Sequence, residues 1–334
     1  MMTQSLPCPP IELLDLASGY QQAKTLFLLI EFALPTLLSP QPLNTEQIAR
    51  SLGMHTRAAD SFLRACVALG LLDQLEGEYR NSALAELFLV KGKSTYLGDE
   101  FARYDRTSYP MWMNLGQKLR QWQPGGTDSE IPQQLDQGPL GIRARHNLSL
   151  MVGSALSETF NFSAHRTMLD LGGGTGAMSL SICERHRDLR AIVFDLPLVT
   201  EVASELIREK GFSDRIEVIA GNFKTDELPS QFDVALLANL LSVAGEETNR
   251  KLLKRIYDRL PVGGAVILSG YILDDGVAGP LIPVLFCLQD IGWEAPDVER
   301  DSSTYSGWLE EAGFVEIERK MFCPPTSMII GRKR

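Results

Sequence analysis

Residues 168–177 read M-L-D-L-G-G-G-T-G-A. An apolar run closes on Asp170, and Gly172, Gly173, Gly174 and Gly176 follow within five positions. A glycine-rich turn between a strand and a helix lets a ligand come close to backbone amides at the positive end of the helix. Gly172, Gly174 and Gly176 form G-x-G-x-G, and with Ala177 the same residues satisfy G-x-G-x-x-A, the dinucleotide fingerprint. The loop alone therefore leaves the ligand open between a dinucleotide and another nucleoside.

Two carboxylates narrow the choice. Asp195 closes the run A-I-V-F-D, 25 residues beyond Asp170, and can accept both hydroxyls of a ribose, which suits either ligand. Asp170 discriminates. Directly before the glycines it can face the cationic amino-acid end of S-adenosylmethionine, whereas it would repel the diphosphate of a nicotinamide cofactor. A nicotinamide oxidoreductase stays a distant alternative.

The elements around the loop repeat in one order. Apolar runs at 167–171, 191–195, 215–220, 232–238 and 265–271 alternate with helical stretches, including 246–260 and 303–312, and two runs joined by C-P-P close the chain. This predicts a doubly wound, mostly parallel α/β sheet with an antiparallel hairpin at one edge. Ahead of it, 11–36 reads as an apolar helical segment. Asn44 or Thr45 caps a helix ending near Gly53, a second helix carries Phe62, Leu63, Cys66, Leu69 and Leu72, and E-G-E-Y-R-N-S turns a hairpin. Helix, turn, helix, hairpin outlines a winged helix. Residues 94–166 read as mostly helical around a loop at 123–129. The expected division is 1–95, 96–165 and 166–334.

The whole-chain totals exclude several functions. With 334 residues, 44% hydrophobic, the chain can bury a sizeable core, and its net charge of −10 repels phosphate backbones and acidic membranes. Between 44 and 82, Arg50, Arg57, Arg64 and Arg80 stand against Glu46, Asp60, Asp73, Glu76 and Glu78, so the winged helix is a poor DNA partner. No apolar run approaches a membrane span, and the start reads as no signal peptide. The five cysteines are scattered with no C-x-x-C, which favours reduced thiols in the cytoplasm and no metal site.

The motifs D-L-G-G-G-T-G, V-F-D-L-P-L-V, G-N-F-K-T-D-E-L-P and P-V-G-G-A-V-I-L resemble, in order, those of S-adenosylmethionine-dependent methyltransferases. The chain is most similar to the plant caffeate-type and bacterial small-molecule O-methyltransferases, from residue 11 to 330. The resemblance implies a class I methyltransferase domain, S-adenosyl-L-methionine as cofactor with S-adenosyl-L-homocysteine as product, and a homodimer through the N-terminal winged-helix domain. It extends the cofactor contacts to Leu196, Asn222, Phe223 and Asn239, with the Asn222 carbonyl accepting from the adenine amino group and Phe223 stacking on the ring. It also implies an apolar acceptor pocket lined by Tyr109, Trp112, Met113, Met151, Phe286 and Trp293, suited to a flat small molecule.

One departure bears on chemistry. The family's general base is a histidine after the fourth strand; here N-L-L-S-V-A-G-E-E puts Ser242 there. A nearby base contributes about 10²–10⁴-fold to such a reaction, and serine is no base at neutral pH without an activator. Glu299 of V-E-R-D-S and Tyr271 of S-G-Y are the other candidate proton-handling groups. Three readings stay open: an acceptor already acidic or enolic, an activated ring carbon, or a non-methylating reaction that keeps the cofactor.

Overall fold

The computed structural model describes residues 10–123, 138–276, 278–293 and 300–334, which divide into two compact units, one up to Asp105 and one from Arg106 on. The loop expected at 123–129 lies, past Gln123, outside the described residues, as does Glu299. The stretch 96–165, expected as a region of its own, is divided by its contacts: residues up to Asp105 fall in the first unit and those from Arg106 in the second.

In the first unit, helix α1 (Ile11–Glu31) is shorter than the apolar run. Ala33 turns to φ +50° and a single short helix, Leu34–Leu38, follows. Pro35 has no N–H to continue the ladder, so one helix over 11–36 cannot form. Helix α2 (Thr45–Leu52) begins at Asn44, whose side chain accepts from Gln47 N–H while the Gln47 side chain accepts from Asn44 N–H. That reciprocal box makes Asn44 the cap rather than Thr45. Gly53, at φ +64°, ends the helix. Helix α3 (Thr56–Ala68) buries Ala59, Leu63 and Cys66. Strands β1 (Leu43–Asn44), β2 (Leu72–Leu75) and β3 (Glu78–Asn81) pair in the order β1-β3-β2, which completes the winged helix. The start of α1 leaves Leu13, Leu16 and Tyr20 more than half exposed.

The second unit holds a seven-stranded sheet, which helix α4 (His146–Thr159) precedes in the chain. Strands β4 (Thr167–Leu171), β5 (Arg190–Asp195), β6 (Ile216–Ala220), β7 (Val234–Ala238) and β8 (Ala265–Gly270) are parallel to their neighbours among these five. Strand β10 (Thr326–Arg332) runs antiparallel between β8 and β9 (Val315–Cys323), the expected hairpin at the edge. The full order is β6-β5-β4-β7-β8-β10-β9. Side chains of β4 alternate between two cores: Leu169 and Leu171 on one face, Met168 on the other. Both faces are covered, which is why the strands read as continuous apolar runs rather than alternating ones. The strand order reverses between β4 and β7, so their carboxyl ends open a crevice where such sheets bind ligands.

Candidate active site

The glycine loop runs from β4 into helix α5 (Ala177–Arg185). Gly172, Gly174 and Gly176 adopt φ of +68°, +57° and +70°, a region closed to most side chains. Each has a separate steric task. A Cβ at 172 would stand 2.6 Å from Leu240 Cδ1, and one at 176 would stand 2.8 Å from Ile207 Cδ1, whereas one at 174 would meet open space. So Gly172 lets Leu240 close on the loop, Gly176 lets the helix behind β5 pack tightly, and Gly174 faces the crevice.

The amides are less bare than the motif suggests. Gly172 N–H donates to Phe194 C=O, Gly176 N–H to Gly173 C=O, and Gly174 N–H to Asp195 Oδ2 at 2.8 Å. Three of the loop amides are therefore already engaged within the chain. Asp195 also accepts from Leu196 N–H through Oδ1 at 2.7 Å. One carboxylate thus locks the end of β5 to the loop, and each oxygen keeps a lone pair for a ribose hydroxyl. Burial raises its pKa, and the two backbone bonds pull it back. The contribution of Leu196 is its N–H rather than its side chain.

Asp170 lies under the loop, only 1% exposed, against Gly173. Ser179 Oγ donates to its Oδ2 at 2.6 Å, while Oδ1 is buried without a partner among the described residues. Burial pushes its pKa up to about 6, with Asp195 adding to the rise and Ser179 opposing it. An orphaned carboxylate oxygen beneath a loop with one open glycine fits a ligand that brings a cation there. The loop has a further tie: His146 Nδ1, at the start of α4, lies 2.9 Å from Thr175 Oγ1. Burial, then Lys210 and Arg143, push this imidazole down to about 4, so it is neutral at neutral pH.

Asn222 is engaged locally. Its Oδ1 accepts from Lys224 N–H at 3.0 Å, and its N–H donates to Asp226. The carbonyl is spent on a local Asx turn, so an adenine contact would use its second lone pair. Phe223 next to it is half-buried. Asn239, at φ +53°, donates its N–H to Ser269 C=O and lays its Oδ1 over Gly270.

Beside the loop, Asn239, Leu240, Ser242, Gly270, Tyr271 and Arg300 line a cleft at the ends of β7 and β8. Leu240 is the shared wall, touching Gly172 on its other side. The Ser242 hydroxyl donates to Asn239 C=O at 3.2 Å, so it holds a turn rather than a base's proton. Tyr271 packs edge-on to Phe286 with centroids 4.9 Å apart. Neither His165 nor His186 takes the base's place. His165 stacks on Phe160, and His186 Nε2 meets Ser157 C=O.

Of the expected acceptor residues, Trp112 and Phe286 reach one helix: Trp112 Nε1–H donates to Gln289 Oε1 on Leu281–Gly292, which also carries Phe286. Trp293 buries its Nε1–H without a partner among the described residues. Tyr109 and Met151 are half-buried and stand apart from the described residues that line the cleft. Met113 is a correction: it is 78% exposed, and Met111 instead lays its Sδ against Gly292. Two residues apart on helix Ser108–Met113 is about 200° of rotation, so only one of the two methionines can face inward.

Comparisons with known proteins identify the family. The O-methyltransferase domain pattern matches residues 113–315, and the O-methyltransferase dimerisation domain matches 14–91. The 3-hydroxy-5-methyl-1-naphthoate 3-O-methyltransferase of Streptomyces sahachiroi is 32% identical over 95% of this chain and 92% of its own. The N,N-dimethyltransferase OxyT of Streptomyces rimosus is 33% identical over 90% of each. Human N-acetylserotonin methyltransferase, solved in complex with S-adenosylmethionine, superposes with a TM-score of 0.87 at 26% identity, covering 99% of both chains.

Proposed function

The chain belongs to the O-methyltransferase family, an S-adenosylmethionine-dependent methyltransferase by that membership, and we propose from this premise that it methylates an oxygen of a small, flat, hydrophobic natural product. The observation that carries the reading is the shared Leu240 wall: an acid-locked glycine loop on one side and a cleft lined by Ser242 and Tyr271 on the other. The relative that methylates a naphthoate hydroxyl supports an aromatic oxygen as acceptor.

S-adenosylmethionine supplies a methyl group activated by a sulfonium. The chain supplies position and charge. Asp195 holds the ribose hydroxyls, Phe223 offers a flat face to the adenine, and the free Oδ1 of Asp170 balances the amino-acid cation. Leu240 borders both ligand sites, the acceptor oxygen reaching the methyl carbon past its edge in direct contact, and Trp112, Phe286 and Trp293 give the acceptor an apolar bed. Alignment of acceptor and sulfonium is the main contribution such a site can make. Ser242 takes no proton, since a hydroxyl without an activating base is too weak a base at neutral pH, and the one bond its hydroxyl makes among the described residues is to Asn239 C=O.

The dimerisation domain and the exposed apolar face of α1, with Leu13, Leu16 and Tyr20, support a homodimer formed through the N-terminal unit. No described helix is long and apolar enough to cross a membrane. A cytoplasmic location completes the proposal, on the scattered, odd-numbered cysteines.

The test is incubation with methyl-deuterated S-adenosylmethionine and an extract of the source organism, read by mass spectrometry and carbon–proton correlation NMR. A labelled methyl on oxygen is the expected result. A labelled methyl on carbon, or no labelled product, would overturn the acceptor assignment.

A further inference from the structure

Residues 221–229 follow β6 at the carboxyl end of the sheet, beside the acid that closes β5. Ala220 pairs in register with Asp195, and Gly221 N–H donates to Asp195 C=O at 2.8 Å. A Cβ at 221 would run into the ring of Phe194, so only glycine lets the chain leave β6 this closely. With the ribose on Asp195, the attached base comes next to the residues that follow, Asn222 and Phe223.

Residues 221–229 form neither helix nor strand. The turn closes on itself instead. Asn222 C=O accepts from Thr225 and Asp226 N–H at 3.1 and 2.8 Å, Asn222 Oδ1 accepts from Lys224 N–H at 3.0 Å, and Asp226 Oδ2 accepts from Asn222 N–H at 2.9 Å. These bonds set the internal shape of the turn. Its seat against the next layer comes from the packing of Phe223 and Leu228 on the core and from Arg255 on helix Glu246–Arg259. Arg255 Nη1 donates to Phe223 C=O at 2.6 Å, and its Nη2 donates to Asp226 C=O. The helix is anchored in turn by Leu252, Leu253 and Ile256, which are buried in the same core. A guanidinium is a rigid planar fork, so two bonds from one group to carbonyls three residues apart set orientation as well as distance. Arg259, one turn further on, differs. It donates to the carboxylate of Glu227, whose side chain is 88% exposed, and an exposed pair of that kind fixes little.

We propose that Arg255 is a positioning residue for the purine of the cofactor: by holding the carbonyls of Phe223 and Asp226 it fixes Asn222 and Phe223 where the base is read, and so sets the preference for adenine over a base with a carbonyl in place of the amino group. The inference rests on the methyltransferase reading above. Arg255 acts through the backbone of the turn. The selectivity itself comes from the second lone pair of the Asn222 carbonyl, which accepts from an amino group and repels a carbonyl oxygen. A turn released from the helix leaves that lone pair unaimed, so the discriminating bond is lost before the stacking and ribose contacts that both bases share.

The experiment is calorimetric titration of the full-length protein with S-adenosylhomocysteine and with S-inosylhomocysteine, in which a carbonyl replaces the adenine amino group. The unsubstituted protein should bind the adenosyl ligand at least about tenfold more tightly, because the inosine carbonyl meets another acceptor. Arg255→Gln should weaken the adenosyl ligand by about tenfold and the inosyl ligand by less than about threefold, so that the preference falls at least about threefold. Arg255→Lys, which can keep one of the two bonds, should fall between, with a loss of preference of at least about twofold, and it carries the test should Arg255→Gln fail to fold. Arg259→Gln should leave both affinities unchanged within about twofold. An equal loss for both ligands, which is what a merely structural role would give, overturns the proposal. So does a preference that survives both Arg255 variants, a preference lost equally in Arg259→Gln, or equal binding of the two ligands by the unsubstituted protein. Failure of S-adenosylhomocysteine itself to bind the unsubstituted protein would instead overturn the cofactor reading.

Discussion

The two halves of the crevice hold their polar groups in different ways. At the ends of β4 and β5, carboxylates and backbone answer each other over short reach: Asp195 takes Gly174 and Leu196 N–H, and Asp170 takes Ser179. At the ends of β7 and β8, the groups that line the cleft come from separate places. Ser242 lies after β7, Tyr271 after β8, and Arg300 is pinned by Asp290 from another helix. The first half is a rigid template for a ligand of fixed shape. The second is a cleft assembled from side chains of separate elements.

If the first half is the rigid template, its central lock should matter most. Asp195→Ala removes two charge-assisted backbone bonds and the ribose acceptor, and should weaken S-adenosylhomocysteine binding by about a hundredfold or more in calorimetry. A loss within about threefold would erase the distinction between the halves.

The next largest effect is on stability. His146 titrates near 4 in the folded chain, below its ordinary 6.5. Over that interval the unfolded chain binds a proton that the folded chain does not, so stability falls as pH drops from about 6.5 to 4, on the order of 3 kcal/mol in all. His146→Gln, which can still bond Thr175, should flatten that acid-side decline in melting temperature. An unchanged slope would mean the imidazole is not held neutral by the loop.

Asp170 gives a pH dependence to the ligand instead. Its carboxyl is ionised above about 6 and protonated below, so S-adenosylhomocysteine affinity should fall by about tenfold between pH 7 and 5, the loss of ionised fraction at one unit below the pKa. Asp170→Asn should bind weakly with no such slope.

The smallest effect sharpens the other side. Ser242→Ala should slow turnover by less than about tenfold, below what a general base supplies. A loss of about a thousandfold would make the serine a chemical participant, and the second half would then be as inflexible as the first.

The same contrast governs how much of the molecule was legible in its sequence. The cradle follows chain-local rules. Four glycines must come between β4 and its helix, an acid must close each of two strands, and strands covered on both faces must read as apolar runs. The boundaries at 191–195 and 303–312 therefore fall within a residue of the observed β5 and the helix Ser302–Ala312. The choice of Met111 over Met113 and the Lys224 N–H on the Asn222 carbonyl followed no such rule, because each depends on which neighbour occupies the space or the lone pair.

By itself the sequence determined the sheet, the winged helix, the paired acids and the glycine turn, since backbone conformation and burial pattern are encoded residue by residue. Only the tertiary structure decided that the amides of Gly172, Gly174 and Gly176 are already donated, that His146 meets Thr175 and that Arg300 lines the cleft beside Ser242. The first two join separate elements, α4 to the glycine loop and β5 to the same loop, and the third brings residue 300 to the ends of β7 and β8. Contacts of that kind are fixed by how the layers pack and not by any local spacing.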